Sequence, residues 1–397
     1  MKFVQIDEKE YRKFWNKSPQ KTFLSAPEIG HLHENSKVFF LGVKNREELV
    51  AAAMVRGIKR RFGFYSFYSP RGILVDYEDE KLLKFFVENL AKFCKKERGM
   101  VLRIEPAVIL KERDIDGKIV PGGENHEKVV ENLQKLGFRQ VKYVEGKSQI
   151  TWQFVLDVKG KTEEELLKNM KGNTRRRLKQ AEELGARIKV LEYDEIPEFC
   201  KILNETAERK GFEARTETYF QKMYKSFHSL DEIKYVSVVL NLKECMDRLK
   251  AKKEEINREE PQTIREKKDH ADAVVSIESR IKKLEEIAGK KPKDEEVTLS
   301  SGMFLTMKPE ILHLAGGNAE KYMKLDGQYI LQWAMIREAL KEGYDRYNFY
   351  GIPENIDQHP ENFGVYEFKR GFGGHVEQLV GEFELPLNLL SELRILR

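Results

Sequence analysis

Each half of the chain runs through the same succession of patterns, and a repeat of this kind decides the fold class ahead of any other reading. In the first half, residues 37–43, 49–56 and 62–68 are β-like runs joined by the short turns 44–47 and 59–61. A Pro70-Arg71-Gly72 break follows, then a helix over about 80–97, on which Leu82, Leu83, Phe86, Leu90 and Phe93 share one face. Gly99 is placed to cap that helix, and residues 100–105 form the next strand. In the second half, residues 234–242, 297–307 and 310–314 are β-like and lead to Ala315-Gly316-Gly317. A helix over 327–341, Gly343 and a strand over 344–350 complete the copy. Aligning Gly99 with Gly343 superposes two β-β-β-α-β units, which predicts an α/β chain built of two tandem modules.

The copies differ at one place. Where the first has the turn 44–47, the second carries an insert over 243–293 with a proline near its middle, Pro261. Leu242, Cys245, Leu249 and Ile256 precede the proline, and Val274, Ile277, Ile281, Leu284 and Ile287 follow it close to 3,4 spacing. That seam needs a partner, so an antiparallel helical hairpin is expected. Between the repeats, 162–185 reads as two helices or a broken one, stopped by Gly185, followed by a strand over 186–191 and helices over 194–210 and 216–227. The expected domains are 1–152, then 153–242 with 294–397, and the arm 243–293.

Composition narrows the function. The 397 residues include 23 Phe and 15 Tyr, aromatic bulk that disordered chains lack. The longest run without a charge, 297–307, is far short of the roughly 20 apolar residues of a spanning helix. The N-terminus has no apolar h-region, and three cysteines (Cys94, Cys200, Cys245) at irregular spacing suggest neither a disulfide framework nor a zinc site. A cytoplasmic protein is expected. The net charge of +5 permits a polyanionic partner without demanding one.

No HExxH, CxxC, Walker A, G-x-S-x-G or strand-to-helix G-x-G-x-x-G motif occurs, so neither a metalloenzyme nor a nucleotide hydrolase is expected. His31 and His33 stand two apart with no cysteine nearby, and read as surface residues. Three constellations remain. Arg175, Arg176, Arg177 and Lys179 crowd a helix start, where cations oppose the helix dipole; they form either an anion site or a solvated basic face. Arg215 and Tyr219, one helical turn apart, can grip phosphate or carboxylate, or be a chance pairing. Over 363–374, aromatics alternate with Lys369 before a run of glycines; this reads as a strand ending in a loop that admits a ligand, or as a plain hairpin. Glu105 ends a strand at the sheet edge where α/β sites gather, as a general base or as a salt-bridged structural carboxylate.

The run 345–352, the stretch from Gln328 through Trp333, the Phe368-Lys369-Arg370-Gly371-Phe372 segment, the basic run 174–179 and the Tyr68-Ser69-Pro70-Arg71-Gly72 break together resemble the Fem/MurM family of peptidoglycan interpeptide-bridge aminoacyltransferases. The likeness covers nearly the whole chain in order and includes the coiled-coil insert. It implies two GNAT-like units with a helical arm in the second, aminoacyl-tRNA as donor and no further cofactor. The acceptor it implies is a UDP-linked or lipid-linked muropeptide, extended by Gly, Ala or Ser at its stem-peptide lysine or growing bridge. It implies contact with the inner membrane face through the lipid-linked acceptor, and a homodimer or a partner transferase. The family's substrate-binding arginine and tyrosine carry over to Arg215 and Tyr219, its key lysine to Lys369, and its strand-end acid to Glu105. Phe368 and Tyr350 lie in the matching segments and join the substrate-binding set. A lysine contact of the family falls near His33, and Leu312 and Leu314 replace tyrosines that precede the Ala-Gly loop in FemX-type members.

Two other functions fit parts of the chain. A CoA-dependent N-acetyltransferase would need an R/Q-x-x-G-x-G/A pyrophosphate loop, which the segment 370–375 does not complete. A non-catalytic tRNA-binding module would grip RNA with the arm, whose 15 basic and 12 acidic residues are nearly balanced.

Overall fold

The computed structural model describes residues 1–32, 36–144, 148–354 and 363–388; His33 lies outside the described residues. The chain divides into two compact units, one of Met1–Val155 with Tyr350–Glu367 and Gly374–Arg397, the other of Leu156–Phe349 with Phe368–Gly373.

The first unit opens with β1 (Lys2–Gln5), α1 (Glu8–Lys17) and α2 (Pro27–His31). A meander follows, β2 (Ser36–Asn45), β3 (Glu48–Lys59) and β4 (Tyr65–Ser69), after which α3 (Glu80–Lys96) crosses to β5 (Gly99–Ile104). Strands β1 to β4 pair antiparallel, while β4 and β5 pair parallel, the arrangement that a helical crossover permits. Asp79 caps α3 through Leu82 N at 2.9 Å. Leu83, Phe86, Val87 and Leu90 then face the sheet, packed with Leu41, Val55 and Leu102 in one buried cluster. Each such side chain contributes about 1.5–3 kcal/mol by leaving water. Beyond β5 come β6 (Ile109–Glu112), α4 (Glu127–Lys135), β7 (Arg139–Val141) and β8 (Trp152–Asp157).

The second unit begins with α5 (Glu163–Asn169) and α6 (Gly172–Glu182), the broken helix expected, and continues through β9 (Arg187–Leu191), α7 (Ile196–Lys210), α8 (Glu217–Phe227) and β10 (Ile233–Asn241). The insert follows as α9 (Leu242–Arg258) and α10 (Ile264–Ala288), and then β11 (Glu296–Met307), β12 (Glu310–Asn318), α11 (Gly327–Lys341) and β13 (Arg346–Gly351). The strand order here is β13-β12-β11-β10-β9, with β12 and β13 parallel across α11. Both units thus contain the same β-β-β-α-β succession. The last described elements are α12 (Phe363–Arg370), β14 (His375–Leu379) and β15 (Glu382–Pro386).

Three expectations are corrected. Residues 350–367 and 374–397 belong to the first unit instead of the second, because β14 pairs with β6 and β8, and β15 with β5 and β7. The segment read as a strand is the helix α12: its buried positions Tyr366 and Lys369 are three apart, so the period is helical and the apparent alternation is incidental. Gly99 does not cap α3. Arg98 takes the left-handed backbone at φ 61°, the place that Gly343 fills after α11 at φ 68°, so the two copies align one residue away from the expected register. Gly99 opens β5, where a Cβ would come within 2.6 Å of Cys94 O and 2.8 Å of the Phe67 ring.

The helical arm packs on itself as its seam requires. Leu249, Ile256, Ile277 and Leu284 are buried, Lys253 pairs with Glu278 at 2.7 Å, and His270 Nε2 meets Ile256 O at 2.9 Å. Its root is clamped to α6 by one carboxylate: Glu183 receives Lys252 of α9 at 2.7 Å and Arg280 of α10 at 2.5 Å. Burial opposes ionisation of Glu183, but the two cations outweigh it and hold its carboxyl below the ordinary range. A depressed acid stabilises above its unfolded value and loses that contribution as pH falls through the folded one. Glu183→Gln is therefore expected to speed tryptic cleavage of the arm at pH 7, with the difference from wild type closing as the pH is lowered past about 4. Equal cleavage rates at pH 7 would remove the clamp from this account.

Candidate functional site

In the first unit the break at 69–72 is a rigid corner. Ser69 Oγ donates at 2.9 Å to Met54 O and lies at the same distance from Gly72 O. Arg71 and Gly72 are both left-handed, at φ 55° and 80°. A Cβ on Gly72 would sit 2.5 Å from Tyr77 Oη and 2.9 Å from Pro106 Cα, so only glycine fits. The corner brings the buried Arg71 guanidinium to 4.0 Å from Glu105, and its Nη2 donates to Ile150 O at 2.8 Å. Glu105 follows β5 directly, is 3% exposed and accepts from Tyr68 Oη of the neighbouring strand β4. Burial, and then the nearby Glu382, push its carboxyl well above the ordinary range, against the opposing contact from Arg71. Glu382 itself is held by Arg103 Nε at 2.7 Å. A buried carboxyl with a raised pKa beside a phenol and a guanidinium is suited to proton exchange near neutral pH. Tyr350, also of this unit, is left-handed at φ 65° with its ring 6.3 Å from that of Phe23.

In the second unit Lys369 is 8% exposed, in the last turn of α12. Burial brings its ammonium down to about 7. Its electrostatic neighbour is His313 of β12, whose pKa burial, and then Lys369, lower to about 3. The register shifts between Met303 and Phe304, where Leu314 of β12 bulges out unpaired; this sets Phe304 opposite His313, and the two rings stack at 4.9 Å. A polar chain runs through the core beneath. Tyr347 Oη donates to Gln332 Oε1 at 2.6 Å, which turns the Gln332 amide nitrogen to His313 Nδ1 at 3.2 Å. Nδ1 therefore accepts, and the ring proton sits on Nε2. That Nε2 is sealed from solvent, and the nearby Ala315 backbone, which favours the charged ring, is outweighed by burial and Lys369. Leu312 is buried in the same strand and Leu314 is half-buried, so both serve as packing here.

The basic run is only partly available to an anion. Arg177 grips Asp326 with Nη2 and, at 3.2 Å, with Nε; its guanidinium lies 4.7 Å over the Tyr329 ring. Arg175 Nη1 reaches Leu167 O and Lys168 O at the end of α5, while Arg176 meets the exposed Asn173 at 2.9 Å and Lys179 is exposed. Two of the four cations are thus engaged in holding the fold. Phe368 closes an aromatic cluster with Tyr329 at 5.0 Å and Phe372 at 5.4 Å. Arg215 lies just before α8, which Thr216 caps through Tyr219 N at 3.3 Å, and its guanidinium is 5.3 Å over the Tyr219 ring. The structure brings Arg215 and Tyr219 together as their spacing predicts. Gly371, Gly373 and Gly374 follow the C-terminus of α12, which presents carbonyls instead of the N–H groups a pyrophosphate needs.

Sequence reasoning missed the chain Tyr347–Gln332–His313 and the part played by Tyr68 and Arg71. The signal was there in Gln332, a lone amide inside the apolar helix run YILQWAM. His31 pairs with Glu8 at 2.8 Å, and no cluster of three or more His, Cys, Asp or Glu able to hold a metal exists among the described residues.

Three likenesses bear on this geometry. The model of the FemAB family matches residues 6–391. The aminoacyltransferase FemA of Staphylococcus aureus is 31% identical over 409 residues, covering 98% of this chain and 96% of that protein. The crystal structure of FemX aligns over 100% of both chains with a TM-score of 0.79 at 20% identity, which establishes the fold.

The geometry predicts a neutral His313 throughout the physiological range. Its folded pKa lies below the unfolded value, so stability should fall by about 1.4 kcal/mol per pH unit below roughly 6.5 on its account. Nitrogen NMR should show the Nε2–H tautomer unchanged from pH 8 to 5, and His313→Gln should flatten that part of the stability profile. Titration of this ring near pH 6 would contradict the enclosed chain.

Proposed function

The chain belongs to the FemAB family, and on that footing we propose that it is a tRNA-dependent aminoacyltransferase that adds Gly, Ala or Ser to the stem-peptide lysine or growing bridge of a peptidoglycan precursor. The observation that carries this reading is the end-to-end match to a protein named as an aminoacyltransferase. The buried, pKa-shifted Glu105 and Lys369 support it as chemistry.

The reaction asks little of the protein beyond placement. An aminoacyl ester is already activated: the acceptor amine forms the new C–N bond, the ester C–O bond breaks, and the tRNA hydroxyl leaves with a proton. The amine, with a reference pKa of about 10.4, must first be deprotonated. Glu105 is the group assigned to take that proton, its raised pKa bringing the carboxylate closer to the amine in basicity. Lys369, in its protonated form, is assigned to the negative charge that develops on the ester oxygen or to an anionic group of the substrate. Arg215 and Tyr219 bind the acceptor's phosphate or carboxylate, with Phe368 and Tyr350 as apolar contacts. Arg176 and Lys179, exposed on α6, serve the tRNA backbone, with Arg175 and Arg177 fixing the helix that carries them. The acceptor is a UDP-linked or lipid-linked muropeptide, met at the inner face of the membrane in the second case, and a second copy or a partner transferase completes the bridge.

A mass-shift assay tests the activity: purified protein, charged total tRNA, and lysine-containing muropeptides, both bare and pre-extended. A tRNA-dependent gain of one or more residues is expected, its mass naming the amino acid; no gain from folded protein that still binds tRNA would favour a binding module. Lys369→Met should lower kcat by about 10²–10³-fold, the scale of losing one charge-stabilising donor. The rate should also fall as pH rises through about 7, when the Lys369 ammonium loses its proton, and Lys369→Arg should remove that limb. Intact turnover in Lys369→Met would end its assigned role.

A further inference from the structure

One end of the first sheet carries a feature that the transfer chemistry does not use. The turn between β3 and β4 projects Phe62 with 77% of its surface exposed, the most exposed aromatic among the described residues. Its backbone is left-handed at φ 59°, a conformation strained for a bulky residue that asparagine or glycine would adopt more readily. The ring is thus held outward against both its hydrophobicity and its backbone preference.

The surroundings are cationic. Lys59, Arg60 and Arg61 are exposed on the turn itself. Arg98 reaches over from the end of α3 to donate to Phe62 O at 2.9 Å, and Lys95 and Lys96 are exposed in the last turn of that helix. Glu97 is the one acid among the described residues of these segments, and Lys37 covers it at 3.5 Å. The other rings of the turn are not available. Arg98 lies 5.3 Å over Phe64 and Lys37 lies 4.8 Å over Tyr65.

We propose that this turn is a docking tip for a bilayer bearing anionic headgroups, into which Phe62 inserts while Lys59, Arg60, Arg61 and Arg98 meet the headgroup charge. The shape favours a lipid surface over RNA. Single-stranded RNA is held in a basic groove by several stacking rings in series, whereas this tip is a narrow hairpin turn and offers one. A lone apolar ring within a ring of cations matches the boundary between acyl chains and anionic headgroups. The inference goes beyond the transferase reading and does not depend on it, since vesicle binding needs neither donor nor acceptor.

The test is co-sedimentation of the full-length protein with vesicles of phosphatidylglycerol and phosphatidylcholine, against phosphatidylcholine alone. Binding to the anionic vesicles only, weakening with salt, is expected. Arg60→Glu with Arg61→Glu should reduce the partition coefficient by about tenfold or more, each cation near the surface being worth several-fold. Phe62→Asn should reduce it by about threefold or more while raising Tm by about 1–3 °C, because asparagine accepts the left-handed backbone. A gain in stability paired with a loss of binding is a result that misfolding does not produce. Neither variant touches the groups assigned to catalysis, so turnover of a soluble acceptor should be unchanged. Wild-type protein that ignores anionic vesicles, or variants that bind them equally well, would overturn the proposal. So would a charge-reversed variant that loses tRNA binding and keeps vesicle binding, which would make the tip an RNA contact.

Discussion

Burying an ammonium group is the constraint around which the core of the second unit is arranged. A lysine with 8% exposure has lost most of its hydration, and that loss is large unless the surroundings compensate or the proton is released more readily. The neighbouring imidazole could make matters worse by taking a second positive charge. Burial and the neighbouring Lys369 charge oppose this, lowering the ring's pKa to about 3, and the chain from Tyr347 through Gln332 fixes a donor amide against Nδ1, the nitrogen that would take the proton. The bulge at Leu314 of β12 and the stacking on Phe304 set the ring where that hydrogen bond can form. Strand irregularity, tautomer and lysine charge are links of one arrangement.

The first unit solves the opposite problem by similar means. Glu105 is a buried carboxylate, and its neighbours include a second carboxylate, Glu382, as well as the guanidinium of Arg71. Arg103 pairs with Glu382, although burial still raises that carboxyl, and Glu105 is left with the Arg71 guanidinium at 4.0 Å and a phenol that donates to it. In both units burial moves the group toward neutral pH, the carboxyl upward and the ammonium downward. Groups displaced in these two directions can exchange protons under conditions where ordinary acids and lysines are locked in one state. Fold stability would be served better by apolar replacements, so the cost points to chemistry.

What the sequence disclosed depended on periodicity. The two β-β-β-α-β copies were legible because long strands and amphipathic helices carry a period over many residues, and the arm because its seam repeats across α9 and α10. Short elements gave less: α12 has eight residues, too few for a threefold spacing to stand out from an alternation of aromatics. Gly99 misled because glycine most often marks a helix end, whereas here it is needed for close approach to Phe67, and Arg98 takes the turn. The pairing of β15 with β5 could not be read at all, since strand partners far apart in the chain leave no local trace. Of the site, Glu105 and Arg215 with Tyr219 were visible from position and spacing. The polar chain under Lys369 was not, because its members sit one each on β12, α11 and β13 and meet only in the fold.

Backbone strain separates the residues that are kept for their side chains from those that merely complete turns. Among the described residues, Arg46 and Asp231 are left-handed at turns, where glycine would do as well for the backbone. Arg71 is left-handed because its guanidinium must return toward Glu105, and Asp326 because its carboxylate must hold Arg177 at the start of α11. Glycine would ease both backbones and remove the group that the strain positions. Phe62 belongs with this second set by backbone and exposure, yet it holds nothing within the first unit: its ring faces solvent, and only its carbonyl is used, by Arg98. A strained residue whose side chain has no internal use is best explained by a use outside the molecule, and the cations around it specify the sign of what it meets.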